Sequence, residues 1–216
     1  MSTHPTQPEH GDLLPPRANV DGTRRRVWEA ALSCFGARGY HGVSVREIAR
    51  AAGVQAGSIY AHVASKEQLL AELMVLGHEE HNHLLRQALL ETDADPVHQI
   101  SALVRAHVRL HAAYPLLARV CNREMEALSP ANRERVLAVR HDSEQIFQQV
   151  IERGARLGVF EAERPWLVVA AIGAMGIRVA EWWEPERGFT VEEVAEEYAE
   201  FAVRIVTGKR GRAKPK

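Results

Sequence analysis

The sequence predicts an all-α protein: an N-terminal three-helix bundle that contains a helix-turn-helix, followed by a C-terminal six-helix domain. Ala, Leu, Glu and Arg dominate its 216 residues and only 6% are aromatic, a composition that favours helices. Apolar residues recur at steps of three and four along most of the chain, and no stretch alternates long enough to indicate a strand. The hydrophobic fraction of 46% and charged fraction of 25% argue against a disordered or fibrous chain.

Composition and charge divide the chain into four predicted parts. Residues 1–20 are polar and rich in proline, which indicates a flexible arm, and residues 209–216 form a basic tail. Between them lie the helix-turn-helix domain, residues 21–66, and the six-helix domain, residues 67–208. Residues 17–66 hold eight basic and three acidic side chains (+5), whereas residues 67–208 hold 14 basic and 23 acidic ones (−9). This asymmetry indicates a first module that faces a polyanion, and the alternative is a basic face that is merely solvated.

Three helices are predicted in the first module. The first starts at Asp21, presents apolar residues on one face, and ends where Gly36 and Gly39 interrupt the pattern. Ser44 opens the second through a capping box with the glutamate three residues later. The third is short and starts at about Gln55.

Six helices are predicted in the second module. Ser65 and Thr190 each begin a capping box, which marks a helix start. Prolines begin most of the others, in the first turn where the missing N–H costs nothing. The helices run from Ser65 to about Leu90, then over residues 96–113, 115–128, 129–156, 165–183 and 190–208.

The helix after Pro165 contains the longest apolar run, the 12 residues from Trp166 to Ile177. This run is too short to span a bilayer. Because it is apolar on every face, we expect one side to be buried in its own chain and the other to be covered by a second copy of the chain. The alternative is a central helix of a monomer.

Several classes of function lack their sequence signals. Cys34 and Cys121 have no metal or redox spacing, and the first residues do not form a signal peptide. We therefore expect a reduced, cytoplasmic location and no membrane partner. There is no Gly-rich phosphate loop, G-x-S-x-G elbow or H-E-x-x-H helix, so we predict neither catalytic residues nor a cofactor. The rival interpretation is a helical enzyme that uses Glu126, His111 or Arg178 as an acid or base.

Two groups of histidines raise the question of a metal site. His78, His81 and His83 are close in sequence, and His107 and His111 are four residues apart. No cysteine or paired carboxylate completes either group, and the polar residues among the first three indicate a solvated face. We therefore predict no metal site.

The second and third helices have the proportions of a helix-turn-helix. Its marks are Ala49, small where the helices cross, Gly53 in a left-handed turn, and Ile59, which fixes the last helix to the core. That last helix runs to about His62, and its first turn enters the major groove in such motifs. Its amide and its small side chains suit base edges. The residues predicted to face the bases are Gln55, Ala56, Gly57 and Ser58.

The stretch from Thr23 to Leu70, with SVREIARAAGVQAGSIYAHVASKEQLL at its centre, resembles the N-terminal domain of the TetR family of transcriptional regulators. One position departs from the family pattern: Val63 stands where phenylalanine is usual, so we expect looser packing behind the recognition helix. The resemblance implies a homodimeric repressor that binds a palindromic operator on double-stranded DNA. It further implies DNA contacts from residues around the motif, namely Arg24, Ser44, Arg46, Tyr60, His62 and Lys66.

Four of these contacts have structural alternatives. Tyr60 suits a partly buried core position, and His62 suits the end of a helix. Arg46 and Lys66 are typical of a solvated surface. A second rival to the regulator is a helical interaction module or a nonspecific architectural binder, which would bind scrambled DNA equally well.

The C-terminal helices resemble, less specifically, TetR-type regulators of fatty-acid and steroid catabolism that respond to acyl-CoA thioesters. The resemblance implies a small hydrophobic effector, with an acyl-CoA as the candidate. Arg178 and Trp182 lie on one helical face, where they could hold a phosphate and stack an adenine. The alternative is that Arg178 pairs with a carboxylate across a dimer and Trp182 fills the interface. The other predicted effector contacts are Arg119, Asn122, Arg123 and Glu126.

Overall fold

The structure, a computed structural model, describes residues 12–18, 20, 22–60 and 63–208. Within these ranges the regular secondary structure is entirely helical, so the predicted all-α class is confirmed. Predictions for residues 1–11, His62 and the tail 209–216 lie outside the described residues. The α-helices are α1 (Gly22–Arg38), α2 (Val45–Ala51), α3 (Ala56–Ile59), α4 (Lys66–Leu90), α5 (Pro96–Ala113), α6 (Pro115–Arg123), α7 (Pro130–Arg156), α8 (Pro165–Trp182) and α9 (Val191–Thr207).

Side-chain caps fix several helix starts. The capping boxes predicted at Ser44 and Thr190 are both complete, with the side chain and the backbone each satisfied by the partner three residues later. At Ser65 only half of the predicted box forms: the hydroxyl accepts from the Gln68 backbone N–H at 3.0 Å. The Gln68 side chain instead donates to Glu72 at 3.2 Å, so the backbone of the cap gains no partner from it.

Two predicted helix ends are wrong. Gly36 lies inside α1, because its role is contact rather than termination: a Cβ at Gly36 would come within 2.1 Å of Leu116 Cδ1 on α6. Gly39, with φ +70°, follows the end of α1 in the left-handed conformation. The segment predicted as one helix over 115–128 divides into α6 and a 3₁₀ turn, Met125–Ala127. Glu124 lies between the two segments, and its carboxylate accepts a hydrogen bond from the Tyr40 backbone N–H at 3.1 Å.

The buried apolar side chains form two clusters that meet along α4. The first cluster joins α1, α2 and α3 to the N-terminal half of α4 and to α6, and it includes Phe35, Ile59 and Leu73. The second joins α5, α7, α8 and α9 and includes Leu85 near the C-terminal end of α4. Helix α4 is therefore shared: it starts beside the helix-turn-helix and ends in the core of the second module.

Helix α8 has one buried face and one open face. Val169, Ile172 and Val179 are buried in the second cluster, whereas Trp166 is 63% exposed and Leu167 is 49% exposed. The expected burial of one side is confirmed, and the other side is uncovered in a single chain. By length and composition alone the 18 residues of α8 could cross a membrane, which the shorter apolar run did not indicate. Helix α8 is thus amphipathic in its surroundings: one face packs in the second cluster and the other face is exposed.

Candidate nucleic-acid interface and cavity

Helices α2 and α3 meet at the turn that the motif requires. Gly53 has φ +66°, a conformation in which glycine carries no Cβ penalty, and the Val54 N–H donates to the Ala49 carbonyl at 3.0 Å. Ile48 and Ile59 are fully buried on either side of this turn and fix the two helices to α1 and α4. The predicted helix-turn-helix geometry is thus present, with α3 extending over one turn within the described residues.

The first turn of α3 carries an exposed polar surface, here called the reading surface: Gln55, Gly57, Ser58 and Tyr60. Gln55 precedes α3 and makes no capping bond, so its amide is not engaged with its own helix. Tyr60 is 60% exposed, which places it outside the core. Ala56 differs from the other predicted base contacts because it is half-buried against the first cluster. The base contacts of these residues remain predictions.

Lys66 braces the loop between α1 and α2. Its ammonium donates to the carbonyl oxygens of Tyr40 at 2.8 Å and Val43 at 2.7 Å, and it lies 3.9 Å from the centre of the Tyr40 ring. Desolvation lowers the pKa of Lys66 from its usual value. Two of its three donors are used within the protein, so the predicted phosphate contact falls to the third.

The residues in front of α2 form a charged cap. The Ser44 hydroxyl donates to Glu47 Oε2 at 2.7 Å and accepts from the Glu47 backbone N–H at 3.3 Å. Hydrogen bonds from Arg38 and Ser44 lower the pKa of Glu47 to about 2. Arg46 is exposed beside this cap, and Arg24 lies on α1, 3.4 Å from Glu72 and 5.2 Å from the Trp28 ring centre. The predicted DNA contacts of these residues also remain predictions.

A cavity of about 280 Å³ lies among α4, α5, α6, α7 and α8. Its apolar wall includes Leu117, Phe147 and Val169. Among its lining residues, Trp166, Ala170 and Ala174 on α8 are exposed, so the cavity opens along the open face of that helix. The polar side chains that line it include His78, His81, His107, His111, Tyr114, Asn122, Arg140, Ser143 and Glu144.

Four of these side chains, His78, His81, His107 and His111, form what we call the histidine cluster. His81 Nε2 lies 2.9 Å from His107 Nδ1, and the rings of His107 and His111 are 4.4 Å apart between centres. The expectation of a solvated face around His78 and His81 is wrong, because α5 packs against that side of α4 and buries both imidazoles. Burial is also the main reason why the pKa falls to about 4 for His78 and His111 and to about 3 for His107, and falls well below its usual value for His81. Within the described residues no group of three His, Cys, Asp or Glu side chains is placed to hold a metal ion.

Of the six predicted effector contacts, the structure places only Asn122 on the cavity wall. Arg119 instead donates to the Ala180 carbonyl at 2.7 Å, and Arg123 pairs with Glu181, so both tie α6 to α8.

The remaining three predicted contacts also lie off the cavity wall. The Glu126 side chain is 85% exposed and pairs with Arg133 at 3.3 Å. Arg178 is exposed on α8, one turn beyond the lining residue Ala174, and Trp182 packs half-buried on the second cluster. The spacing of the histidines at three and four residues, which places them on single helical faces, is the sequence signal that could have identified the cavity.

Two family models match the chain. The model described as "Tetracyclin repressor-like, C-terminal domain" matches residues 93–206, which is more than half of the chain. The model described as "Bacterial regulatory proteins, tetR family" matches residues 27–73, which contain the helix-turn-helix.

Individual proteins agree with these models. The chain is 24% identical over 190 residues to the HTH-type transcriptional repressor KstR2 of Mycobacterium tuberculosis, covering 87% of this chain and 94% of KstR2. A tetR-family regulatory protein from Rhodococcus RHA1 has a TM-score of 0.80 at 28% identity, over 87% of this chain and 98% of that one. AibR, solved with isovaleryl coenzyme A and operator DNA, shares the fold with a TM-score of 0.75 at 21% identity, over 86% and 98% of the two chains.

The family models and the helix-turn-helix geometry point to one class of protein. These matches argue against the rival interpretation of an α-helical enzyme, because the matched families and relatives are transcriptional regulators. The chain belongs to the TetR family of bacterial DNA-binding transcriptional regulators.

Proposed function

We propose that the protein is a cytoplasmic homodimeric repressor that holds a palindromic operator and releases it when a small hydrophobic effector fills the cavity. The observation that carries the proposal is the reading surface, a polar turn held rigidly by Gly53 and Ile59 yet open to solvent. The turn belongs to a segment of charge +5 on a body of charge −9. Such a segment attracts DNA, while the body repels it and leaves the reading surface as the preferred point of contact.

The open face of α8 supports a two-fold pair. Leu167, Ala171 and Ala174 follow one another along this exposed face, with Trp166 beside them. A second copy of the chain can cover an apolar strip of this kind symmetrically, and two reading surfaces related by a two-fold axis match the two halves of a palindrome. The partner copy would also border the mouth of the cavity, since Trp166 and Ala174 line both.

Helix α4 supports the link between effector and DNA. It supplies His78 and His81 to the cavity, and its first turns pack in the same cluster as Ile59 behind the reading surface. An effector that fits the cavity in one position of α4 favours that position, and the reading surfaces then lose the spacing that the operator needs.

An acyl-CoA thioester is the effector class that we propose to test first. The fold is shared with AibR, which binds isovaleryl coenzyme A. A mostly apolar cavity of about 280 Å³ suits an acyl group, so the nucleotide would lie outside, near the mouth. Arg178 is exposed one turn from the lining residue Ala174, where it can meet a phosphate.

The experiment is a selection of bound fragments from the genome of the source bacterium, followed by affinity measurements on the selected operator. We expect a palindromic sequence, bound by a dimer and released by an acyl-CoA of suitable chain length. Gln55→Ala should weaken binding by about tenfold, because a bidentate base contact is worth about 1–3 kcal/mol. The matched control is Gln149→Ala, an exposed glutamine on α7, which should bind as the unmodified protein does.

The dimer is tested on the same material. Leu167→Arg places a charge in the middle of the proposed interface and should give a monomer with little operator affinity, whereas Leu90→Arg, at a still more exposed leucine on α4, should leave the dimer intact. Equal binding to selected and scrambled duplexes by the folded protein would contradict the proposal and favour a nonspecific binder.

A further inference from the structure

The histidine cluster is a set of buried polar groups that the DNA-binding role does not use. His78 and His81 come from α4, and His107 and His111 come from α5, so the cluster forms the α4–α5 wall of the cavity, and His107 also contacts Gly173 of α8. All four side chains are buried. What the cavity can bind there depends on which ring nitrogens carry protons.

The hydrogen bonds assign these protons. His107 Nε2 lies 3.1 Å from the Gly173 carbonyl oxygen, which can only accept, so this nitrogen carries the proton. A neutral His107 then has a lone pair on Nδ1, which accepts from His81 Nε2 at 2.9 Å. The proton of His81 is therefore on Nε2, and its Nδ1 is left as a lone pair.

His111 follows the same logic. Its Nδ1 lies 2.8 Å from the backbone oxygen of His107 and must donate, which leaves Nε2 as a lone pair. His78 contributes a buried Nε2 that has no hydrogen-bond partner among the described residues. The N–H groups of His81, His107 and His111 are thus consumed inside the protein, which leaves lone pairs on His81 Nδ1 and His111 Nε2, while a neutral His78 carries one N–H and one lone pair.

Two further lining side chains offer acceptors. Asn122 Nδ2 donates one of its two N–H groups to the Ala118 carbonyl at 2.8 Å, and its amide oxygen can accept. The Ser143 hydroxyl donates to Asn82 Oδ1 and keeps only its oxygen lone pairs. The cation on the wall, Arg140, is close enough to His78 for its charge to lower the pKa of that imidazole, and its Nε lies 3.3 Å from the Glu144 carboxylate.

We propose that the α4–α5 wall of the cavity recognises a hydroxyl group on an apolar skeleton, an alcohol or a phenol, which donates to the histidine cluster. A hydroxyl can donate to the lone pairs on His81 Nδ1 and His111 Nε2, whereas an ionised carboxylate, an ether or a ketone has no proton to donate to them. Low pKa values keep the cluster histidines uncharged at neutral pH, and the one cation among the described lining residues, Arg140, is paired with Glu144, so a carboxylate finds no unpaired cation on the wall. This inference rests on the proposed function, since it specifies the chemistry of the effector.

The test uses probes that share the naphthalene skeleton and differ in one substituent: a hydroxyl donor, a methyl ether without a donor, and an anionic carboxylate. Full-length protein at pH 7.5 is titrated by calorimetry with 2-naphthol, 2-methoxynaphthalene and 2-naphthoate. We expect 2-naphthol to bind about tenfold tighter or more than the methyl ether, and the carboxylate to bind weakest. Equal affinities, or no binding of any probe, would overturn the inference.

Variants locate the contact. His111→Phe keeps a ring of similar size and should reduce the affinity for 2-naphthol to that of the methyl ether, with the ether unaffected. His78→Phe gives a second reading, because His78 Nε2 has no partner whose loss could disturb the fold. His141→Phe on the exposed face of α7 is the matched control and should keep the full preference. A preference that survives both cavity variants would contradict the assignment.

A second arm distinguishes a free hydroxyl compound from a hydroxylated thioester, and it separates the two proposals. Operator release is compared for 3-hydroxyoctanoyl-CoA, octanoyl-CoA and 2-naphthol. Stronger release by the hydroxylated thioester than by octanoyl-CoA supports a thioester source, and release by 2-naphthol alone supports a free alcohol or phenol. Equal release by the two thioesters, with no preference among the naphthyl probes, refutes the hydroxyl inference and leaves the repressor proposal standing. A preference for 2-naphthol without release of the operator by any compound supports the hydroxyl inference and contradicts the proposal of an effector-released repressor.

Discussion

The reading surface and the histidine cluster are assembled in opposite ways. The contacts that frame the reading surface are local: Lys66 reaches back 26 residues to Tyr40, and Ser44 caps a helix with the residue three positions later. The cluster depends on distant partners, because His107 is fixed by a carbonyl 66 residues away. The comparison shows that the DNA-binding half is encoded in one continuous stretch, whereas the cavity exists only after five helices have packed.

The most severe test of this contrast is a change at the packing contact behind the cavity. A Cβ at Gly176 would lie 1.9 Å from the His107 ring, so Gly176→Val should destabilise the protein by about 3 kcal/mol or more. Denaturant unfolding measures the loss. Gly173→Ala, one turn earlier with no atom within 4 Å of its Cβ, should instead gain up to about 1 kcal/mol. If Gly176→Val unfolds with a free energy close to that of Gly173→Ala, then α5 and α8 do not approach as closely at Gly176 as the structure shows.

Acid should lower the free energy of unfolding, because the buried histidines of the cavity are neutral in the folded protein. The pKa of His111 falls to about 4 on folding, so stability is complete above pH 6.5, where the unfolded imidazole is also neutral, and declines as the pH falls towards 4. One such histidine accounts for about 2 kcal/mol at pH 5. His111→Phe should reduce the difference in unfolding free energy between pH 7.5 and pH 5 by about that amount, and His141→Phe should leave it as it was. An unchanged difference in the first variant would show that His111 is accessible to protons in the folded state.

Substitution of Lys66, which braces the loop between α1 and α2, should have a smaller effect on the free energy of unfolding. Lys66→Met leaves two carbonyls without their charged donor and should cost about 1.5 kcal/mol in unfolding free energy. Arg26→Met, an exposed cation on α1, should cost less than 0.5 kcal/mol. Operator binding that falls in Lys66→Met while its stability does not would assign Lys66 to phosphate contact alone.

The smallest expected effect concerns the cap of α2. Ser44→Ala removes a hydroxyl that satisfies the Glu47 backbone N–H and should cost about 1 kcal/mol. Ser129 also precedes a helix but makes no capping bond, so Ser129→Ala should cost less than half as much. Thermal unfolding of the pair checks the difference, and equal shifts would show that the Ser44 cap has no net energetic value.

The local features of both modules could be predicted from the sequence. Ser44, Gly53 and Thr190 have roles that depend on residues at most a few positions away, and the structure confirms each of them. The bounds of α5, Pro96–Ala113, follow from a proline in its first turn and another immediately after its C-cap.

Features that depend on a distant partner could not be predicted in this way. Gly36 looks like a helix end until Leu116 is placed against it. His78 and His81 look solvated because their neighbours in sequence are polar, and only the arrival of α5 buries them. Arg119 holds α8 through the Ala180 carbonyl 61 positions away, a contact that its spacing does not indicate, and its effector contact stays a prediction. The spacing of residues along a helix identifies which side chains share a face, but it does not identify the element that packs against that face.

The 25 residues of α4 contribute both to the support of the reading surface and to the cavity wall. Lys66 and His81 are 15 positions apart on one continuous helix, about 22 Å along its axis. If the proposed function holds, retargeting this regulator as a biosensor should therefore start from the wall supplied by α7 and α8, at Phe147 or Val169. Substitutions on α4 should then change the basal expression of the reporter together with its response.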